Sequence, residues 1–217
     1  VQHRDGLISV HQQRDFTHQG KNPRHLSQHA AFVHHGHALL HAIATMDLPQ
    51  ITVDEALGRV PVLRHRGLTL VMSNVVLDYL ARTTGHFEPK TEQHRWQARE
   101  WLAWENDAIT NVARVRHFAR FRPDVSQDIV NFFRPQAEAA LDFADKSLAG
   151  REWLVGDACS IADIGCWGRM VFAHEGGMSI DTRPNLAAWR DRLRAMPGFA
   201  LPYDLIPKKD AEFEARA

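Results

Sequence analysis

Cysteine is scarce in this chain: Cys159 and Cys166 are the only two among 217 residues. Both fall in a stretch read as an apolar helical region, so they form neither a disulfide framework nor a paired-thiol metal motif, and a reducing compartment fits. Excess charge of either sign is missing too, because 26 Lys+Arg stand against 26 Asp+Glu. A neutral chain has no sequence-independent attraction to a phosphate backbone or an anionic bilayer, and nucleic acid is not an expected partner. No apolar run approaches the roughly 20 residues that a membrane span requires, so no membrane is expected either. The opening residues, with His3, Arg4 and Asp5, lack a signal peptide's apolar segment, and the expected location is the cytoplasm. The hydrophobic content of 44% is enough for a core in one large domain or two modest ones.

The most informative stretch runs from Gly58 to Asn74. Two apolar runs, Val60–Leu63 and Leu68–Val71, flank Arg64-His65-Arg66-Gly67, which reads as a hairpin with a glycine-containing turn. Pro61 offers no N–H to a ladder, so it belongs at a strand's start or edge, and it pushes Val60 to an extended conformation. The backbone N–H and C=O of Val60 are then expected to be free for a ligand. Ser73 and Asn74 precede the apolar series Val75, Val76, Leu77, Tyr79 and Leu80, so Ser73 is expected to be the N-cap of a helix. A hydroxyl beside unpaired backbone N–H groups suits a carboxylate. The stretch is therefore either an ordinary hairpin leading into a helix or a site for an extended peptide with a carboxylate end.

Residues 1–28 are rich in Gln, His, Arg and Asp and read as an extension or arm, one that embraces a partner subunit or caps a site. Beyond them, Phe32-Val33 is expected to end a first strand, Ala38 to Met46 to form a short helix stopped by Asp47-Leu48-Pro49, and Ile51-Thr52-Val53 to form a second strand. The order is then β, α, β, β, α. Between the first strand and the helix lie His34, His35 and His37, and nine of the 14 histidines fall in the first 41 residues. Three roles stay open for them: surface or packing groups, N–H donors at a helix start, or metal ligands through the four-residue spacing of His37 and His41. No Cys, Asp or Glu joins them nearby, and no metal is expected.

After Thr84-Gly85, a plausible helix end, and Pro89, a linker, the pattern is helical throughout. From Glu92 to Arg120 the series Trp101, Trp104, Ala108, Val112, Val115, Ala119 marks an apolar stripe. A second long helix presents Ile129, Phe133, Ala137, Ala140, Ala144 and Leu148, with Pro135 either kinking it or opening a shorter one. Ser160-Ile161-Ala162-Asp163 has the form of a reciprocal capping box before a further apolar helix. The charged tail from Lys208 is expected to fray.

The series Gly58-Arg59-Val60-Pro61-Val62-Leu63, a glycine turn, Leu68-Thr69-Leu70 and Ser73-Asn74 closely resembles the glutathione-binding half of cytosolic glutathione transferases of bacterial type. Gly156 to Ile164, with its Ser-x-x-Asp box, resembles the start of that family's buried C-terminal core helix, and Pro184 to Trp189 with Pro197-Gly198-Phe199 its last core helix. The likeness covers Val60 to Phe199 well and Phe32 to Asp54 loosely. It implies an α/β plus all-α chain: an arm at 1–28, a reduced or atypical thioredoxin-like glutathione-binding domain at 29–83, and an all-helical domain at 90–207. It implies glutathione as co-substrate along Val60, Pro61, Met72, Ser73 and Asn74, and a small electrophile against Trp104, Glu105 and Asn106. A cytoplasmic homodimer that conjugates and detoxifies is the expectation, and a noncatalytic relative with a degraded site is the alternative.

Three departures from the family bear on that choice. Met72 stands where the family has an acidic residue. Only Asp54 to Arg59 remains where relatives carry a longer segment, so the glycine end of glutathione loses part of its wall. No Tyr, Ser or Cys occurs from Ala31 to His37, where the family places the group that serves the sulfur. Lowering a thiol from a pKa of about 8.5 to about 6.5 requires about 2.7 kcal/mol, whereas a helix N-terminus supplies about 0.3 to 1, so a donor from His34, His35 or His37 is the expected substitute.

Overall fold

The computed structural model describes residues 51–54, 59–122 and 124–205. Strands β1 (Ile51–Asp54), β2 (Arg59–His65) and β3 (Leu68–Leu70) form one antiparallel sheet in that spatial order. The β2–β3 ladder pairs Leu63 with Leu70 and His65 with Leu68. Only Arg66 and Gly67, at φ 48° and 80°, turn the chain. Two left-handed residues give the turn the twist of its strands, so the hairpin is tighter than Arg-His-Arg-Gly suggested. β1 is the expected second strand, while the Phe32-Val33 strand, the Ala38–Met46 helix, the arm and His34, His35 and His37 lie outside the described residues, as does the tail from Lys208.

Helix α1 (Ser73–Thr84) follows at once and buries Val76, Leu77, Leu80 and Ala81. Its N-cap is Met72, extended at φ −104° and ψ 124°, and not Ser73 as the sequence led us to expect. The backbone stays extended through Met72, so Ser73 enters as the first helical residue and no side chain caps the start. Gly85, left-handed at φ 75°, ends the helix with its N–H on the Ala81 carbonyl at 2.7 Å.

Helix α2 (Glu92–Trp104) runs on through a π-helical turn (Glu105–Ile109), α3 (Thr110–Arg116) and a second π turn (His117–Phe121). Each π turn takes up an extra residue and rotates the buried stripe. The expected stripe is therefore only half right. Ala98, Leu102, Ile109, Val112 and Val115 are buried, and so are Glu105 and Arg116, whereas Trp101, Trp104 and Ala108 are partly covered and Ala119 is exposed.

Helix α4 (Gln127–Ser147) keeps Pro135 in its interior, which decides between the two roles left open for it. It buries Val130, Ala137, Ala140, Leu141 and Ala144 and leaves Ile129 exposed. At the centre lies α5 (Ile161–Met170), followed by a 3-10 turn (Ala173–Gly176), α6 (Pro184–Arg194) and α7 (Pro202–Leu205). The capping box at Ser160 and Asp163 is present. α6 has no cap of its own; Asp145 of α4 accepts from the Asn185 and Leu186 N–H groups at 2.8 and 2.9 Å. The architecture is thioredoxin-like at the N-terminal end and all-helical beyond it.

Candidate functional site

The site begins where the sheet is irregular. β1 and β2 pair at Thr52–Val62 and at Asp54–Arg59, and the register shifts between them, so Val60 and Pro61 of β2 stand as two residues against Val53 of β1. A bulge leaves one residue of its strand out of the ladder. On the other side β3 pairs β2 only from Leu63 onward.

Close in sequence to that edge of the hairpin stands the uncapped start of α1. The first N–H groups of a helix have no partner within it, and here neither a capping side chain nor an acidic residue in the first turn serves them. Ser73 is 8% exposed, and its hydroxyl makes no hydrogen bond among the described residues. Being the first helical residue, it is spared from capping. Met72, 48% exposed, adds no polar group.

Asn74 faces inward. Its amide nitrogen donates to the Leu102 carbonyl at 2.9 Å and to Glu105 Oε2 at 2.7 Å. Glu105 is 1% exposed, and its other carboxylate oxygen accepts from Arg169 Nε of α5. The structure thus brings two sequence-picked residues, Asn74 and Glu105, into direct contact. It does not gather Trp104, Glu105 and Asn106 at one edge, because successive helical residues point about 100° apart. Trp104 leans on Trp101 and Phe143, with ring centroids 5.1 and 4.9 Å away, while Asn106 is exposed.

A second buried ionic cluster joins residues far apart in the sequence, a pairing that no local pattern marks. Arg116 Nε donates to Glu175 Oε2 at 2.6 Å, and Tyr203 accepts from Arg116 and donates to Glu175, both at 3.0 Å. The Arg116 guanidinium also lies 4.1 Å from the Phe172 ring centroid. Burial tends to raise the Glu175 carboxyl, but the Arg116 hydrogen bond and charge, the Tyr203 hydroxyl and Arg120 together hold it below its ordinary value. Burial, then the charges of Arg122 and Arg116, lower His117.

Neither cysteine is a poised nucleophile. Burial, helped by the Asp163 charge, pushes the Cys159 thiol far up, and burial with Glu105 and Asp163 nearby does the same to Cys166. Among the described residues no three His, Cys, Asp or Glu side chains converge as a metal site would need, and no helix is long and apolar enough to cross a membrane.

Comparison with known proteins bears on this geometry. Residues 106–197 match the family model described as the glutathione S-transferase C-terminal domain. The disulfide-bond oxidoreductase YfcG of Escherichia coli is 26% identical over 131 residues, 60% of this chain, and the chain spans 61% of that protein's length. A crystal structure of a glutathione S-transferase from Xanthobacter autotrophicus Py2 superposes with a TM-score of 0.63 at 30% identity, over 70% of this chain and 76% of that one. A glutathione transferase family member from Pseudomonas fluorescens Pf-5, solved with two glutathione molecules bound, has a TM-score of 0.59 at 23% identity, over 66% of this chain and 70% of that one. With the C-terminal family model matched over 106–197 and a glutathione S-transferase structure 30% identical over 76% of its own length, the chain belongs to the glutathione S-transferase family.

Proposed function

We propose that this chain is a glutathione transferase that joins glutathione to a small, apolar electrophile in the cytoplasm, as in detoxification. The tripeptide lies extended along β2, its cysteinyl backbone against Val60 beside Pro61 and its γ-glutamyl carboxylate at the Ser73 hydroxyl and the backbone N–H groups of Ser73 and Asn74 that open α1. The observation that carries this reading is the buried Ser73 hydroxyl, without a partner among the described residues, at a helix start with no side-chain cap. An anion there meets both fixed N–H donors and the positive end of the helix.

In the reaction the thiol gives its proton to solvent, the sulfur bonds to the electrophilic carbon, and the leaving group departs with its electron pair. The acceleration comes from thiolate formation and alignment. Cys159 and Cys166 supply no thiolate, so any disulfide chemistry of the kind named for the Escherichia coli relative runs through bound glutathione. His34, His35 and His37 are the proposed donors to the sulfur. Trp104 keeps its proposed place at the electrophile's edge, whereas Asn106 points to another side of the helix and Glu105 is occupied by Asn74 and Arg169.

The noncatalytic reading rests on Met72, which leaves the γ-glutamyl ammonium without a carboxylate. Immobilised glutathione followed by an assay with a chloronitroaromatic acceptor separates the two. Retention with turnover is expected; retention without turnover favours a noncatalytic binder, and no retention overturns the transferase reading in favour of the relative with a degraded site. A homodimer is part of the proposal, with Trp96, Phe132 and Phe143, 61%, 65% and 50% exposed, as large apolar side chains for a second copy to cover.

A further inference from the structure

We infer that Asn74, Glu105 and Arg169 form a positioning device that holds the first turn of α1 in the geometry glutathione requires; the inference rests on the glutathione reading above. Three elements meet in it. Asn74 belongs to α1, Glu105 to the π turn after α2, and Arg169 to α5.

The contacts leave no freedom in how Asn74 sits. Its two neighbours, a backbone carbonyl and a carboxylate, are acceptors only, so the amide nitrogen must face them and the side chain cannot flip without losing both bonds. Glu105 is equally committed, with one oxygen on Asn74 and the other on Arg169. A shift of the α1 start would strand a carboxylate that water cannot reach, and a buried charge left short of a donor is strongly disfavoured. A donor to an ionised acceptor also makes a shorter and stronger bond than a neutral pair does.

The packing around the network is tight. A methyl group on Gly165 of α5 would lie 2.5 Å from Leu102 Cδ2 and 3.7 Å from Asn74 Oδ1, so α5 reaches α1 and α2 because that residue has no side chain. Ser73 immediately precedes Asn74 in the same turn. Fixing Asn74 therefore fixes the hydroxyl and the N–H groups that receive the carboxylate, before the ligand arrives. Misplacing such groups by about an ångström can cost a hundredfold in rate.

The test measures glutathione binding by calorimetry and steady-state kinetics on the full chain, with wild type, Asn74→Ala, Asn74→Asp and the double change Asn74→Asp with Glu105→Gln. Asn74→Ala is expected to raise the Kd and KM for glutathione about tenfold while leaving the KM for the aromatic acceptor unchanged. Asn74→Asp sets a second carboxylate against Glu105 and is expected to be worse. Adding Glu105→Gln restores a donor facing an acceptor and is expected to recover part of the affinity. An Asn74→Ala protein that melts earlier but keeps the wild-type KM for glutathione would overturn the inference alone, since that is the mark of a merely structural contact. A wild type that binds no glutathione would overturn the pocket reading and this inference with it.

Discussion

Asp163 is fully buried, and its carboxylate is surrounded by donors: the Leu154 N–H, the Ser160 N–H and the Trp189 indole, each at 2.9 Å, and the Ser160 hydroxyl at 3.0 Å. Replacing it with alanine strands several of these at once. Each buried unpaired group costs about 1 to 3 kcal/mol, so Asp163→Ala is expected to destabilise the chain by about 3 kcal/mol or more in urea unfolding. A loss under about 1 kcal/mol, the scale of a surface cap, would contradict that picture. The second prediction at this scale concerns pH. His117 titrates below its ordinary 6.5 in the folded chain, so the unfolded chain binds that proton more readily and stability falls as pH drops through that value. Glu175 is held below its ordinary 4.5, so its contribution is present above that pH and is lost as pH falls toward its folded value. Both groups act in one direction. Burial raises Asp163 above its ordinary value and acts the other way on acidification, so the variant carries the test: Glu175→Gln should lessen the fall of the urea midpoint on the acid side, and an unchanged acid-side fall would contradict the account.

At the scale of elements, what was legible in the sequence was local. The Leu63–Leu70 hairpin, the Gly85 helix end and the Ser160–Asp163 box each lie within a few residues, where turn chemistry and capping decide the outcome. The buried stripe of α2 and α3 was misread because Glu105 and Arg116 sit on it. Their partners, Arg169 and Glu175, are 64 and 59 residues away in sequence, and two π turns break the helical spacing. The start of α1 was misread by one residue for a similar reason, since the strand's continuation through Met72 is set by the sheet and not by the serine. Two tests belong here. Gly67→Ala, at φ 80° with open space around it, should cost about 1 kcal/mol through backbone strain alone. Pro135, exposed inside α4, lacks an N–H and crowds the carbonyl one turn back, so Pro135→Ala should raise stability by about 1 kcal/mol or more in thermal unfolding.

For the whole molecule, the helical part is held to the hairpin by a junction in which α1, α2 and α5 approach around Gly165, Leu102 and Asn74. The proposed site is thus placed at a seam between the two structural classes in the chain. Val60, Pro61 and Ser73, the wall proposed for it toward the sheet, were picked from local sequence alone. Its support from behind was not, because that support is made of charged residues brought together only by folding. The account also expects a dimer in sedimentation, shifted toward monomer by Trp96→Glu, since burying a charge opposite an apolar partner is unfavourable. The central claim is that a helix start with no side-chain cap, and with a hydroxyl unpartnered among the described residues, receives the acid end of glutathione. Calorimetric titration of glutathione into wild type and Ser73→Ala tests it most directly: saturable binding by wild type, weakened about tenfold or about 1.4 kcal/mol by the change, is predicted, and equal affinity in the two proteins or no binding by wild type would contradict it.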